Sequence, residues 1–242
     1  ETNLHIVDTE NIQIYHINLS YLRDLGYNNI KKEANRLEKL LYILVCQDKS
    51  DLDKLYADDD LMKEKGWPHT LYPEIKKAHE ILGVKETVYL DCPAADMESV
   101  KRYELNGKII KLIQNIKPDI VYIPHFGDMQ KDHTLLSDAV MVAVRPRGEH
   151  LVWKVYSYET LSETEWNIPH SSNTFIPNTY IEITDFMETK LKAMSCFQSQ
   201  LSPFPEPRSL EAVEALAKLR GSTMGAVRAE AFALIREYKY SK

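Results

Sequence analysis

A chain of 242 residues, 44% hydrophobic and 27% charged, is long enough to bury a substantial core as one large α/β domain or two small ones, and its composition is not that of a disordered protein. Lys and Arg number 30 against 36 Asp and Glu, a net charge of −6 with no basic stripe, which argues against a nucleic-acid partner. No apolar run approaches the roughly 20 residues that span a bilayer, no charged leader precedes an apolar one, and Cys46, Cys92 and Cys196 form no CxxC pair, so the chain reads as cytoplasmic with reduced thiols.

In chain order, Ile12–Ile17 (IQIYHI) alternates as a strand does and carries His16 near its end. Ile30–Leu41 has helical spacing through Ile30, Ala34, Leu37 and Leu41 and leads into a second strand, Tyr42–Cys46, which together suggest a βαβ unit. Gln47–Lys65 is charged and poorly periodic, and its Asp58, Asp59 and Asp60 read as a solvated run. A helix over Tyr72–Leu82 stops at Gly83, a strand Thr87–Leu90 ends in Asp91, and a helix over Glu98–Ile116 lines up Leu105, Ile109, Leu112, Ile113 and Ile116 on one face.

The stretch from Lys117 to Pro146 carries the chemistry. Ile120–Ile123 is a short β-branched run that Pro118 separates from the preceding helix, and Leu135, Leu136, Ala139, Val140, Ala143 and Val144 recur at helical spacing after it. The polar turn between them holds His125, Asp128, Asp132 and His133, at the carboxyl end of a strand and the amino end of a helix, where open α/β sheets place ligands. Asp132 alone would be an ordinary helix cap; two His and two Asp together suit a divalent metal or a general-base pair.

Beyond Pro146, Trp153–Tyr158 and Thr179–Ile183 read as strands, separated by a Ser/Asn/Pro-rich rim loop containing His170 and Asn173. Phe186–Gln200 reads as a helix, SPFPEP as a rigid extended connector, Leu210–Leu219 as a helix ending at Arg220 and Gly221, and Ala226–Tyr238 as a closing helix. With no repeat and no clear linker, one three-layer α/β domain over residues 1–242 is the economical reading. GxGxxG, GxxxxGK[ST] and GxSxG are all missing, so dinucleotide, P-loop and α/β-hydrolase chemistry lack their glycines.

The stretches ILGVKETVYLD, IKPDIVYIPHFGDMQKDH, SDAVMVAVRP, KLKAMSCFQSQ, FPEPRS and RGSTMGAVRAEAF, in that order and spacing, resemble the PIG-L/LmbE family of zinc-dependent N-acyl-amino-sugar deacetylases. The resemblance implies a Rossmann-like, mostly parallel sheet with a zinc ion at its carboxyl edge, a zinc-ligand histidine at His133 with Asp132 as its orienting partner, and an amino-sugar ligand as the partner molecule. Asp128, which follows a predicted strand, is a candidate catalytic or ligand carboxylate and His125 a candidate ligand-binding residue, while Arg145, Arg208 and Arg220, all within the matching stretches, favour a working ligand pocket. A histidine that some members carry three positions before the ligand is Gln130 in this chain. Active members also end their first strand in His-Pro-Asp-Asp-Glu, whereas this chain has His16, Ile17, Asn18, Leu19 and Ser20, so that His16 alone remains as a metal ligand. Asn18 cannot take a proton and Leu19 cannot bind a metal, which predicts weakly held zinc and impaired or altered activity. Two readings stay open: a deacetylase-type hydrolase that completes its shell with another carboxylate, among Asp128, Asp48 and Asp91, or a non-catalytic relative that binds an amino sugar. Either is compatible with a homo-oligomer.

Overall fold

A computed structural model of the chain describes residues 4–7, 40–43, 71–84, 86–88, 90, 92 and 97–239. In chain order its elements are β1 (Leu4–Val7), β2 (Leu40–Ile43), α1 (Leu71–Leu82), β3 (Glu86–Thr87), a 3-10 turn (Met97–Ser99), α2 (Arg102–Ile116), β4 (Ile120–Pro124), α3 (Lys131–Ala143), β5 (Lys154–Tyr158), β6 (Thr179–Glu182), a second 3-10 turn (Thr184–Phe186), α4 (Met187–Met194), α5 (Leu210–Met224) and β7 (Ala229–Glu237). The strands lie in one sheet ordered β3-β1-β2-β4-β5-β7-β6. From β3 to β5 all neighbours are parallel, while β7 pairs antiparallel with both β5 and β6. This is the mostly parallel α/β sheet expected, extended by an antiparallel edge.

The centre strand β4 explains the three layers. All five of its residues are buried, and successive side chains of a strand point to opposite faces. Ile120 and Tyr122 pack with Ile75, Ala78 and Leu82 of α1, Met187, Ala193 and Met194 of α4 and Val213 and Ala217 of α5. Val121 and Ile123 pack on the other face with Leu105, Ile109, Leu112 and Ile113 of α2 and Leu136, Ala139 and Val140 of α3. Tyr122 stacks on Tyr156 and meets Phe232 edge-on, both at 5.1 Å between ring centres; such pairs add about 0.5–1.5 kcal/mol beyond their burial.

Local chemistry sets the boundaries. α2 ends where Lys117 turns left-handed (φ 53) and returns its N–H to the Ile113 carbonyl, just ahead of Pro118. Ser209 caps α5 through the Ala212 amide, and Gly225 (φ 79) ends it. Gly221 therefore does not stop α5 as the sequence suggested. A Cβ there would lie 2.7 Å from the Ala226 carbonyl oxygen, so the glycine permits the returning chain to cross the helix closely.

Four other expectations change. Residues 229–237 form the strand β7 rather than a helix, because their backbone groups complete both β5 and β6, and sheet pairing overrides the helix propensity of an Ala/Glu/Leu-rich run. The extended connector is a pair of turns over 204–208 with a cis Phe204–Pro205 bond, and the helix expected over 186–200 is only the eight residues of α4. The strand expected at Ile12–Ile17, His16 included, lies outside the described residues. β2 begins at Leu40, inside the stretch expected to end a helix at Leu41. Among the described residues no helix is long and apolar enough to cross a membrane.

Candidate active site

The turn from His125 to Gln130 connects the carboxyl end of β4 to the amino end of α3, so it sits on the carboxyl edge of the parallel strands. Its opposite wall is the segment after β5. The Glu163 carbonyl accepts from the Met129 amide at 3.0 Å, Asn167 Nδ2 donates to the Gly127 carbonyl at 2.6 Å, and His125 Nε2 donates to the Asn173 carbonyl at 2.9 Å. A Cβ on Gly127 would collide with that same Asn173 oxygen and lie 2.7 Å from His125 Nε2, so only glycine lets the two walls approach this closely.

Between the walls lies a buried relay. His133 Nδ1 is 2.7 Å from Asp128 Oδ2, and the second oxygen of Asp128 accepts from Thr164 Oγ1 at 2.6 Å. The Thr160 amide donates to Thr164 Oγ1 at 2.7 Å, which leaves the hydroxyl proton for Asp128. A carboxylate only accepts, so Nδ1 of His133 donates to it; among the described residues no hydrogen bond is made at Nε2. Both His133 and Asp128 are buried.

Tyr158 is held well above the ordinary phenol value, first by burial and then by the Asp128 charge, and so keeps its proton. Burial pushes the Glu163 carboxyl up, while the nearby His133 and Arg208 pull it back. Arg208 ties this wall down with Nη2 on Glu163 Oε1 at 3.2 Å and Nε on Ser162 Oγ at 2.8 Å.

The four turn residues identified from sequence come together here, with their parts redistributed. The carboxylate on His133 is Asp128, not Asp132. Adjacent residues of a helix point about 100° apart, and Asp132 Oδ1 accepts the Met97 amide at 3.2 Å instead, tying the first 3-10 turn to α3. His125 is 2% exposed, with its ring against Phe126 at 4.6 Å and Phe175 at 5.2 Å, so it anchors the wall and does not face open space. Arg220 makes a two-pronged pair with Glu159, Nε to Oε1 at 2.7 Å and Nη2 to Oε2 at 2.5 Å, and lies over the Phe175 ring. Arg145 does not join the site at all: it follows the last turn of α3, about 18 Å along the helix from His133 at 1.5 Å per residue, and its Nε donates to the Val142 carbonyl. Asp48 and Asp91, like His16, lie outside the described residues.

Thr160, Glu163 and Thr164 were missed, as was Glu159. They occupy a polar, aperiodic stretch that reads as a rim loop. The available signal was its position immediately after the strand that pairs with β4, since both loops then reach the same sheet edge. Among the described residues no group of three His, Cys, Asp or Glu side chains is arranged to hold a metal ion. His133 with Asp128 behind it fits a single zinc ligand and its carboxylate partner.

Residues 39–144 match the family model of PIG-L, described as GlcNAc-PI de-N-acetylase; the span contains the whole turn from His125 to His133 and begins after His16. The fold is shared with solved structures along nearly the full length. One is the conserved protein TT1542 from Thermus thermophilus, at 21% identity and a TM-score of 0.61 over 100% of this chain and 98% of that one. Another is GalB, the 4-carboxy-2-hydroxymuconate hydratase from Pseudomonas putida, at 16% identity and 0.62 over 100% and 99%. A third is the N,N'-diacetylchitobiose deacetylase from Pyrococcus horikoshii, at 18% identity and 0.54 over 97% and 83%. At these identities the likeness is one of fold, and a hydratase and a deacetylase share it.

Proposed function

We propose that this chain belongs to the PIG-L/LmbE family and is a hydrolase of the N-acetyl-amino-sugar deacetylase type, cleaving the amide of a small glycan or glycoconjugate with impaired or altered activity. The observation that carries the reading is the buried His133–Asp128 pair at the carboxyl edge of the sheet, 2.7 Å apart, inside the segment that matches the family. In this reading His133 Nε2 is a zinc ligand and His16 a second one. Zinc, when bound, polarises an amide carbonyl and brings the pKa of water toward neutrality. Asp128 keeps the proton on Nδ1 and stabilises the ring against reorientation. Asp132 holds the Met97 turn against α3.

His125 and Arg220 both brace Phe175 beside the site. The His125 ring packs against Phe175, Arg220 lies over the same Phe175 ring, and Glu159 satisfies the guanidinium, so an anionic substrate group would have to compete with that carboxylate. Neutral sugar amides face no such competition, which favours an uncharged N-acetyl sugar as the reacting end.

Acetate release from N-acetylglucosamine and its glycosides, measured with added zinc, tests the reading. Release that disappears in His133→Ala supports it. Release that is unaffected by His133→Ala, or no release from any N-acetyl sugar offered to the unaltered chain, overturns it.

A further inference from the structure

We propose that the rim of the site is a subsite for an uncharged, apolar aglycone, the part of a glycoconjugate that extends from the reacting sugar. The proposal rests on the deacetylase reading above and adds the chemistry of what the sugar carries.

Large apolar side chains crowd onto the two walls. Phe126 is 51% and Met129 50% exposed in the turn between β4 and α3, where they flank Asp128 in the chain; Trp166 is 53%, Ile168 77% and Ile176 68% exposed on the segment that faces it. The two segments form one surface, because the hydrogen bonds that join them run through the immediate neighbours of these residues. Asn167 Nδ2 donates to the Gly127 carbonyl at 2.6 Å, His125 Nε2 meets the Asn173 carbonyl at 2.9 Å, and the Met129 amide donates to the Glu163 carbonyl at 3.0 Å. Asn173 Nδ2 in turn donates to the Ile168 carbonyl at 2.9 Å, and the His125 ring touches both Phe126 and Phe175, the residue before Ile176. A single exposed isoleucine is ordinary on a protein surface, whereas a group of large apolar side chains gathered at one place marks an interaction.

Charge decides between occupants. Residues 166–181 contain no Asp, Glu, Lys or Arg in a chain that is 27% charged, and within 125–130 the sole such residue is Asp128, buried and bonded to His133 and Thr164. Lys131 adjoins the turn, while Arg208 and Arg220 are engaged by Glu163 and Glu159. An anionic headgroup, or a phosphodiester beside the sugar, is held by clustered and available cations, which these two segments do not offer. A second copy of the chain seated on the rim would lie across both walls and close the site they frame. An alkyl or aryl group leaving the sugar instead lies along the rim, and removing apolar surface of both partners from water favours that arrangement.

Calorimetric titration of the unaltered chain with the methyl, octyl and phenyl β-glycosides of N-acetylglucosamine, and with N-acetylglucosamine 1-phosphate, tests the proposal. The octyl and phenyl glycosides are expected to bind at least about tenfold tighter than the methyl glycoside, the gain that partial burial of a few carbons provides, and the 1-phosphate no tighter than the methyl glycoside. In the double variant Trp166→Ser/Ile168→Ser the octyl-to-methyl preference should fall to about threefold or less, and Phe126→Ser/Met129→Ser on the opposite wall should do the same. The two variants are independent, so one that fails to fold leaves the other to decide. Equal affinity for the octyl and methyl glycosides, a preference unchanged by a folded double variant, or tighter binding of the 1-phosphate overturns the proposal. So does sedimentation of the unaltered chain as a dimer that the double variants dissociate, with no octyl preference, since the rim is then the seat of a second copy. Binding is read without turnover, so failure of the deacetylase reading shows separately, as glycosides that bind and release no acetate.

Discussion

Replacing Asp128 with Asn tests the relay at its middle. The side chain keeps its size, and its amide oxygen can still accept from Thr164 Oγ1, which lies 2.6 Å from Asp128 Oδ1, so the fold has no reason to change. What changes is the group 2.7 Å from His133 Nδ1: an NH2 replaces an oxygen and can only donate. Nδ1 must then become the acceptor, the proton moves to Nε2, and the lone pair that would bind zinc is lost. A hydrogen bond to a charged partner contributes about 1.5–3 kcal/mol net, which at 1.4 kcal/mol per factor of ten corresponds to roughly 10- to 100-fold in metal affinity; deacetylation falls at least as far, because the wrong tautomer also misplaces whatever metal remains. Zinc affinity by chelator competition and acetate release under zinc saturation measure the two effects separately. Zinc affinity of Asp128→Asn within threefold of the unaltered chain would refute the assignment of Asp128 as the partner of His133.

Three further outcomes are expected. Burial lowers His79 from 6.5 to about 4; the unfolded chain then binds the extra proton between these values, so stability should fall as pH drops from about 6.5 toward 4, by a few kcal/mol at most at about 1.4 kcal/mol per unit. Denaturant titrations of His79→Gln across that range should lack this slope. Gly127→Ala drives a Cβ into the Asn173 backbone, and overpacking of this kind costs typically about 1–3 kcal/mol, read as a lowered Tm with weakened zinc binding as the two walls separate. Arg145→Ala, at the far end of α3, should leave KM and kcat for any N-acetyl sugar within about twofold, since surface substitutions away from a site have small effects; a large rise in KM would restore Arg145 to the pocket.

The parts of the fold that were legible in the sequence are those whose signal is local. Pro118 followed by Ile120–Ile123 marks a strand, Leu105, Ile109, Leu112, Ile113 and Ile116 mark one helix face, and both are found where their spacing puts them. β7 was misread because Ala, Glu and Leu favour a helix when nothing else is known, while the open hydrogen-bonding edges of β5 and β6 exist only once the sheet is assembled. The site divides in the same way. His125, Asp128, Asp132 and His133 fall within nine residues of one another and are visible as a cluster. Which carboxylate serves which partner was not visible: Asp132 is adjacent to His133 in the chain but bonds to Met97, and Asp128 reaches across five residues to His133. Thr164 lies 36 residues beyond Asp128 in a stretch with no period, and only the parallel pairing of β4 with β5 brings the two together.

The central claim is that His133 is a metal-binding histidine held by Asp128. Its most direct test is the zinc bound by the purified protein in equilibrium with added zinc, determined side by side for the unaltered chain and His133→Ala. The account predicts zinc retained by the unaltered chain and lost from His133→Ala. Equal zinc in both would contradict it.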